Sequence, residues 1–209
     1  MYTKGRPHRL PRMTKRLQEN LLPYMKELRE KHLQCLEIGV YRGDTSRWIY
    51  YNLLDNPMSH LLGIDPWEFN YAPRKHFPDT KEGKILYDGI LDSLMEFQKS
   101  TGGKVHFIRG YSQDLLPTIE KNSYDFIYVD GHHTIHSVMR DYVLAWRILA
   151  VDGIMIFDDY KMRRSNEVQR TVDLILDGFG DRKRGQFARK AKIEILFRNN
   201  QVGIRKLRD

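Results

Sequence analysis

Residues 124–136 read YDFIYVDGHHTIH. The run Phe126-Ile127-Tyr128-Val129 has the length and the β-branched and aromatic content of a buried strand. It ends on Asp130, and His132 and His133 follow almost at once. A second run, IMIFDDY at 154–160, repeats the plan: an apolar strand Ile154–Phe157 ends on Asp158 and Asp159. Short continuous apolar runs suit a sheet covered on both faces, and such sheets are mostly parallel.

The rest of the chain fits that sheet. Strands are expected at His32–Ile38, His60–Ile64 and Val105–Arg109. Helices are expected over Arg12–Lys31 with a kink at Pro23, from Asp44 or Thr45 as cap to Leu54, over Ile85–Lys99, Ser112–Lys121 and Thr134–Leu149, and near Asn166–Leu176. Strands alternating with helices make a doubly wound α/β domain. Two last runs, KIEILFRN and QVGIRKL, meet at Asn199-Asn200 and read as a C-terminal antiparallel hairpin. The expected fold is therefore α/β, with a mostly parallel, seven-stranded sheet. Ligands of such sheets bind beyond the carboxyl ends of the strands. That rule gathers Glu37, Asp65, Asp130, Asp158 and Asp159 on one rim.

The chain has 209 residues, of which 41% are hydrophobic and 11% aromatic, enough for a sizeable core. No apolar run is long enough to span a membrane. The basic N-terminus lacks the apolar stretch of a signal peptide. One cysteine, Cys35, allows no internal disulfide, so a reducing, cytoplasmic setting is expected. The net charge is +8. Its excess lies in an N-terminal arm (Lys4 to Arg16) and in DRKRGQFARKAK at 181–192. Nucleic acid is one partner such patches attract, but no aromatic-basic binding motif accompanies them, and a solvated surface is favoured. A homo-oligomer is compatible with all of this.

The stretch LEIGVYRGD (36–44) places an acid, Glu37, before a glycine turn with Gly39 and Gly43. It is not the G-x-G-x-x-G of dinucleotide binding, because Tyr41 stands where the second glycine belongs. LGIDP (62–66) puts Asp65 at the next strand end, where a carboxylate can accept hydrogen bonds from both hydroxyls of a ribose. Together they favour a nucleoside-containing ligand.

Here the chain resembles a known family. LEIGVYRGD followed by LGIDP is similar to motif I and the next acidic motif of class I S-adenosylmethionine-dependent methyltransferases. RGYSQDLLPTIE (109–120) resembles the Gly-x-Ser-Gln-Asp-Ile-Ile-Pro stretch of catechol O-methyltransferases. The resemblance covers about residues 33–160. It implies a Rossmann-like domain over 32–209, preceded by a basic arm and helical extension over 1–31. It implies S-adenosylmethionine as cofactor, with Glu37, Gly39, Gly43, Asp65, Ser112, Gln113 and Asp130 around it, Ser112 and Gln113 beside the adenine.

Catechol-type enzymes bind Mg²⁺ through an Asp after the fourth strand and an Asp-Asn pair after the fifth. The gap from Asp130 to Asp158 is the same as theirs, and Asp159 stands where the Asn would be. The DDY ending is closer to the metal-dependent macrocin-type sugar O-methyltransferases. The implied metal ligands are Asp130, Asp158 and Asp159. Their mutual repulsion and their oxygen atoms suit Mg²⁺, Mn²⁺ or Ca²⁺ better than zinc. Asp158 and Asp159 can share an ion only if the chain is already turning there, since neighbouring strand residues face opposite ways. Without a metal, the same acids read as a turn before Gly131 and as caps of the next helix.

The family's proton-accepting Lys lies three residues after the first metal Asp, and here that position is His133. An imidazole mostly neutral near pH 7 suits the role. His132 is the other candidate, as base or as substrate contact, and His136 is one helical turn beyond it. The resemblance thus implies methylation of a hydroxyl on a small-molecule acceptor, a sugar, phenol or catechol. Ribose methylation of RNA and a non-catalytic nucleoside-binding module are the alternatives. The loop Pro66–Pro78, with Trp67, Phe69, Tyr71 and Phe77, is expected either as a lid and acceptor wall or as local packing.

Overall fold

In sequence order, each apolar run becomes a strand and each amphipathic run a helix. The computed structural model describes residues 12–68, 81–162, 165–179 and 192–209. Helix α1 (Arg12–Leu21) passes through a 3-10 turn at Leu22–Tyr24 into α2 (Met25–Glu30). Pro23 lies in that turn, and its missing N–H supplies the expected kink. There follow β1 (Gln34–Ile38), α3 (Asp44–Leu53), β2 (His60–Asp65), α4 (Lys81–Ser100) and β3 (Val105–Arg109). Then come α5 (Ser112–Leu115), β4 (Tyr124–Val129), α6 (Ile135–Ile148), β5 (Leu149–Phe157), α7 (Glu167–Phe179), β6 (Ile193–Arg198) and β7 (Val202–Lys206).

Two expectations are corrected. The helix expected over 112–121 is one turn of α5, because Pro117 sits in a 3-10 turn at Leu116–Thr118. Neither Asp44 nor Thr45 caps α3. Gly43, at φ +76°, is the residue before the helix, and Asp44 lies in its first turn, where its charge suits the helix dipole.

The seven strands run in the order β3-β2-β1-β4-β5-β7-β6. The first five are parallel, and β7 and β6 close the sheet with antiparallel pairing. The chain winds outward from β1 to β3, then returns to place β4 on the other side of β1. That reversal makes the β1/β4 junction the switch point where ligands of such sheets bind.

The period-two alternation divides the core between two faces. Ile127, Val129, Met155 and Phe157 pack with Val138, Tyr142, Val168 and Val172 of α6 and α7. Phe126, Tyr128, Ile154 and Ile156 pack on the other face with Leu17, Leu21 and Leu28 of α1 and α2 and with Trp48 and Ile49 of α3. Each such burial is worth about 1.5–3 kcal/mol, so both layers are held firmly. Lys206 is buried too, but its amine donates to the carbonyls of Trp146 and Leu149 and to Asn122 Oδ1, and pairs with Asp209.

Candidate functional site

Strand register builds the rim. Ile38 pairs with Val129, and Val129 with Phe157, so the next residues of β1, β4 and β5 leave the sheet side by side. The ladder continues one step beyond: Asp130 N–H donates to the Ile38 carbonyl at 2.8 Å and Asp158 N–H to the Val129 carbonyl at 3.1 Å. Gly39 N–H donates to the Ile64 carbonyl. A Cβ on Gly39, at φ +87°, would lie 2.0 Å from the Asp130 carbonyl oxygen. Only glycine lets the ends of β1 and β4 come this close.

Two cavities open on either side of that contact. The larger, about 880 Å³, is lined by Gly39, Asp65, Ser112, Gln113, Asp130 and His132 among others. The smaller, about 280 Å³, is lined by Glu37, Gly39, Thr45, Asp130, His133 and Asp159 among others. Of the residues expected around a nucleoside, only Gly43 lines neither. Its positive φ and the contact a Cβ would make with Leu94 give it a part in starting α3.

On the side of the larger cleft, Asp65 Oδ2 accepts from the N–H groups of Val40 and Tyr41, each at 2.9 Å, and Oδ1 accepts from Trp67 N–H at 2.6 Å. Asp65 thus holds the turn after β1 while facing the cleft. Trp67 is buried against Val40, Ile90 and Leu94, and its indole N–H donates to the Tyr41 carbonyl, so it packs the loop locally. Phe69, Tyr71 and Phe77 lie outside the described residues, as do Lys4, Arg6 and Arg9 of the N-terminal arm and residues 181–191 of the second basic stretch. Ser112 donates to Asp141 Oδ1 at 2.5 Å. Asp141, missed from the sequence, is a buried acid of α6 lining the cleft, and burial raises its carboxyl above the usual range. Its signal was a charge among Val138, Tyr142 and Ala145 on the buried face of an amphipathic helix. His132 and His136 both line this cleft, and His132 Nδ1 lies 3.2 Å from Thr134 Oγ1.

The smaller cavity holds a cluster of acids around an imidazole. One ligand atom each from Asp130, His133 and Asp159 lies within 4.8 Å of the other two. His133 Nε2 is 3.5 Å from Asp130 Oδ1 and 3.6 Å from Asp159 Oδ2. Burial raises the Asp130 carboxyl, with Asp158 and Asp159 adding to the rise and His133 opposing it. The hydrogen bond to Asp130 raises the His133 imidazole. Burial raises Asp159 as well, against the pull of Arg16 on α1. Strand β5 ends at Phe157, and Asp159 has φ +51°, so the chain is already turning there.

That turn separates the two neighbours. Asp159 faces His133 and Asp130, whereas Asp158 is 4% exposed and looks inward. Its Oδ1 accepts from Asp159 N–H at 2.8 Å and from Gln201 Nε2 at 3.1 Å, and its Oδ2 accepts from the Tyr128 hydroxyl at 2.7 Å. Of the three expected metal ligands, Asp130 and Asp159 therefore converge with His133, and Asp158 is not among the three. Glu37 is buried beneath the small cavity, takes a hydrogen bond from the Ser46 hydroxyl, and is pushed well above the carboxylate range by burial. Thr45, 2% exposed, lines the same cavity, and its buried hydroxyl has no hydrogen-bond partner among the described residues.

Residues 36–160 match the family model of a methyltransferase domain. The chain belongs to this methyltransferase family. The resemblance to class I S-adenosylmethionine-dependent methyltransferases is thereby borne out, and the Rossmann-like sheet agrees with it. An uncharacterized protein of Acanthamoeba polyphaga mimivirus is 26% identical over 155 residues, 69% of this chain and 59% of its own length. The chain thus matches about three-fifths of the length of that relative. Among solved structures, a protein from Clostridium thermocellum proposed to be an rRNA methylase has a TM-score of 0.60 at 12% identity, covering 91% of this chain and 97% of its own. The O-methyltransferase TomG from Streptomyces achromogenes, solved with S-adenosylmethionine, has a TM-score of 0.55 at 15% identity, covering 95% and 91%. At such identities the likeness is one of fold. Among the described residues, no helix is long and apolar enough to cross a membrane.

Proposed function

We propose that this methyltransferase moves a methyl group from S-adenosylmethionine to a hydroxyl oxygen of a small molecule, a sugar or a phenol, with the help of a divalent cation. The observation that carries the reading is the meeting of Asp130, His133 and Asp159 where the two cavities share Gly39, Asp130 and Gly131. The larger cleft suits the nucleoside. Its volume falls in the range of small-molecule sites, and Asp65, Ser112 and Gln113 supply polar contacts on one wall. The choice of oxygen as acceptor atom rests on the likeness of residues 109–120 and of the DDY ending at 158–160 to O-methyltransferases.

The residues present fit a cation. Two carboxylates face each other across one imidazole, and a dication there relieves their repulsion. Such an ion, when bound, lowers the pKa of an acceptor hydroxyl as a Lewis acid. The protein's own part is to hold the acceptor oxygen against the cleft and to receive the hydroxyl proton on an imidazole, His132 or His133. The net charge of +8 favours a second reading, ribose methylation of RNA, whose mark would be RNA binding that falls steeply with salt.

Calorimetry with S-adenosylhomocysteine and then with Mn²⁺ or Mg²⁺ tests the proposal. The nucleoside is expected to bind the native protein, a divalent cation is expected to bind as well, and Asp159→Asn is expected to lose the cation response while keeping the nucleoside. No nucleoside binding under any condition overturns the cofactor. Nucleoside binding with no cation response removes the metal.

A further inference from the structure

We infer that the cation site of this chain is made of two carboxylates and one imidazole, Asp130, Asp159 and His133, with Asp158 held out of it as a positioning residue. Such a site takes a transition-metal dication that accepts an imidazole nitrogen, Co²⁺ more strongly than Mn²⁺, in preference to Mg²⁺ or Ca²⁺. The inference rests on the metal-assisted reading above and deepens it.

The first argument is the occupancy of Asp158. Both of its oxygens already accept hydrogen bonds, from Tyr128, Gln201 and the N–H of Asp159. Gln201 is fully buried, and its amide also donates to the Tyr128 hydroxyl, at 2.9 Å, while its Oε1 accepts from Asn20 of α1, at 2.9 Å. Turning Asp158 toward an ion would take from the buried Tyr128 O–H its acceptor and from the Gln201 amide one of its two bonds. A buried polar group without its partner is costly, so the network resists that turn. Asp158 instead ties the backbone of Asp159 through the 2.8 Å bond to its N–H, at the residue whose positive φ aims it at the rim.

The second argument is the donor set. His133 Nε2 lies between the two remaining carboxylates, 3.5 Å from one and 3.6 Å from the other. Atoms bound to one ion at ~2.1 Å and at right angles stand ~3 Å apart, so a small inward movement of each side chain suffices. Mg²⁺ and Ca²⁺ prefer an all-oxygen set, whereas an imidazole nitrogen suits later dications. A third observation is independent of the acids: Thr45 lines the same cavity, and its buried hydroxyl lacks a hydrogen-bond partner among the described residues. With His133 engaged as a ligand, His132, on the cleft wall, becomes the imidazole left to receive a proton.

Electron spin-echo spectroscopy on metal-stripped protein reloaded with Mn²⁺, with calorimetry of Mn²⁺, Mg²⁺ and Ca²⁺ alongside, tests this. S-adenosylhomocysteine binding and circular dichroism verify that each variant is folded. The expected result is nitrogen modulation on bound Mn²⁺ and tighter binding of Mn²⁺ than of Mg²⁺, which demands oxygen ligands and gives up its water reluctantly. His133→Ala is expected to abolish the nitrogen modulation and to narrow that preference, while Asp158→Asn keeps the modulation. Gln201→Leu is expected to weaken Mn²⁺ about 10–100-fold with the modulation intact, as loss of a supporting hydrogen bond does. Bound Mn²⁺ with an oxygen-only signature that His133→Ala leaves unchanged overturns this inference alone. Failure of every cation to bind a protein that still takes S-adenosylhomocysteine overturns the metal-assisted reading beneath it.

Discussion

The two sides of the rim treat their carboxylates in opposite ways. On the cleft side, Asp65 meets three backbone N–H groups and has its charge answered within the protein. On the cavity side, Asp130 and Asp159 face one imidazole at 3.5–3.6 Å, and burial drives both carboxyls upward. An acid surrounded by donors organises a loop. Acids that share too few donors are short of positive charge, and a bound cation is the simplest supply. The same contrast divides Asp158 from Asp159. They are adjacent in sequence, yet one serves the interior and the other the site.

Gly39 is the hinge between the two sides, and its substitution is expected to have the largest effect. In Gly39→Ala, the new Cβ would meet the Asp130 carbonyl oxygen at 2.0 Å and the Gly131 nitrogen at 2.9 Å, at a φ of +87°. These are backbone atoms and cannot rotate away. A loss of about 3 kcal/mol in urea unfolding is expected, together with weakened binding of both nucleoside and cation. A variant as stable as the native protein would show that the ends of β1 and β4 are not held together, and the two sides would then be independent.

Asp65→Asn probes the cleft side alone. The amide keeps one acceptor oxygen but points its own donors at N–H groups of the loop. An answered charge is lost from Val40, Tyr41 or Trp67. Calorimetry is expected to show S-adenosylhomocysteine weakened about tenfold, the scale of one charge-assisted hydrogen bond, with cation binding preserved. Equal losses on both sides would erase the distinction between them.

Most of the fold was legible because its signals are local. The runs at 126–129 and 154–157 are strands by composition, and their registers put Asp130, Asp158 and Asp159 on one rim. The glycine turn and Asp65 were legible for the same reason. What the sequence did not show depends on distant partners. Asp158 turns inward because Tyr128, 30 residues away, and Gln201, 43 residues away, converge on it. No spacing rule reaches from a strand end to a hairpin turn. His133 was singled out as a base because of its place three residues after Asp130; its position between two carboxylates follows from the turn at Asp159, which only the backbone reveals. Asp141 was within reach, since a charge on the buried face of α6 is a visible violation of the pattern.

Glu27 sharpens the contrast from outside the site, with the smallest effect. Its two oxygens accept from Arg205 at 2.8 and 2.9 Å, and Lys31 adds a third bond at 2.8 Å. Where burial drives Asp130 upward, the Arg205 hydrogen bonds bring Glu27 down to about 2 from an ordinary 4.5. A carboxyl depressed in the folded state stabilises it above the unfolded pKa. That contribution is fully present above about pH 4.5 and is lost as the pH falls toward 2. The Glu27 side chain is 38% exposed, so water and salt screen the pair, and Glu27→Gln is expected to cost no more than about 1 kcal/mol at pH 7. The sharper readout is the acid limb. Urea midpoints measured from pH 7 to pH 2.5 should fall less steeply below pH 4.5 in Glu27→Gln than in the native protein. Parallel limbs would mean that α2 and β7 are not joined by this pair, and that an answered carboxylate in this fold leaves no trace in its stability.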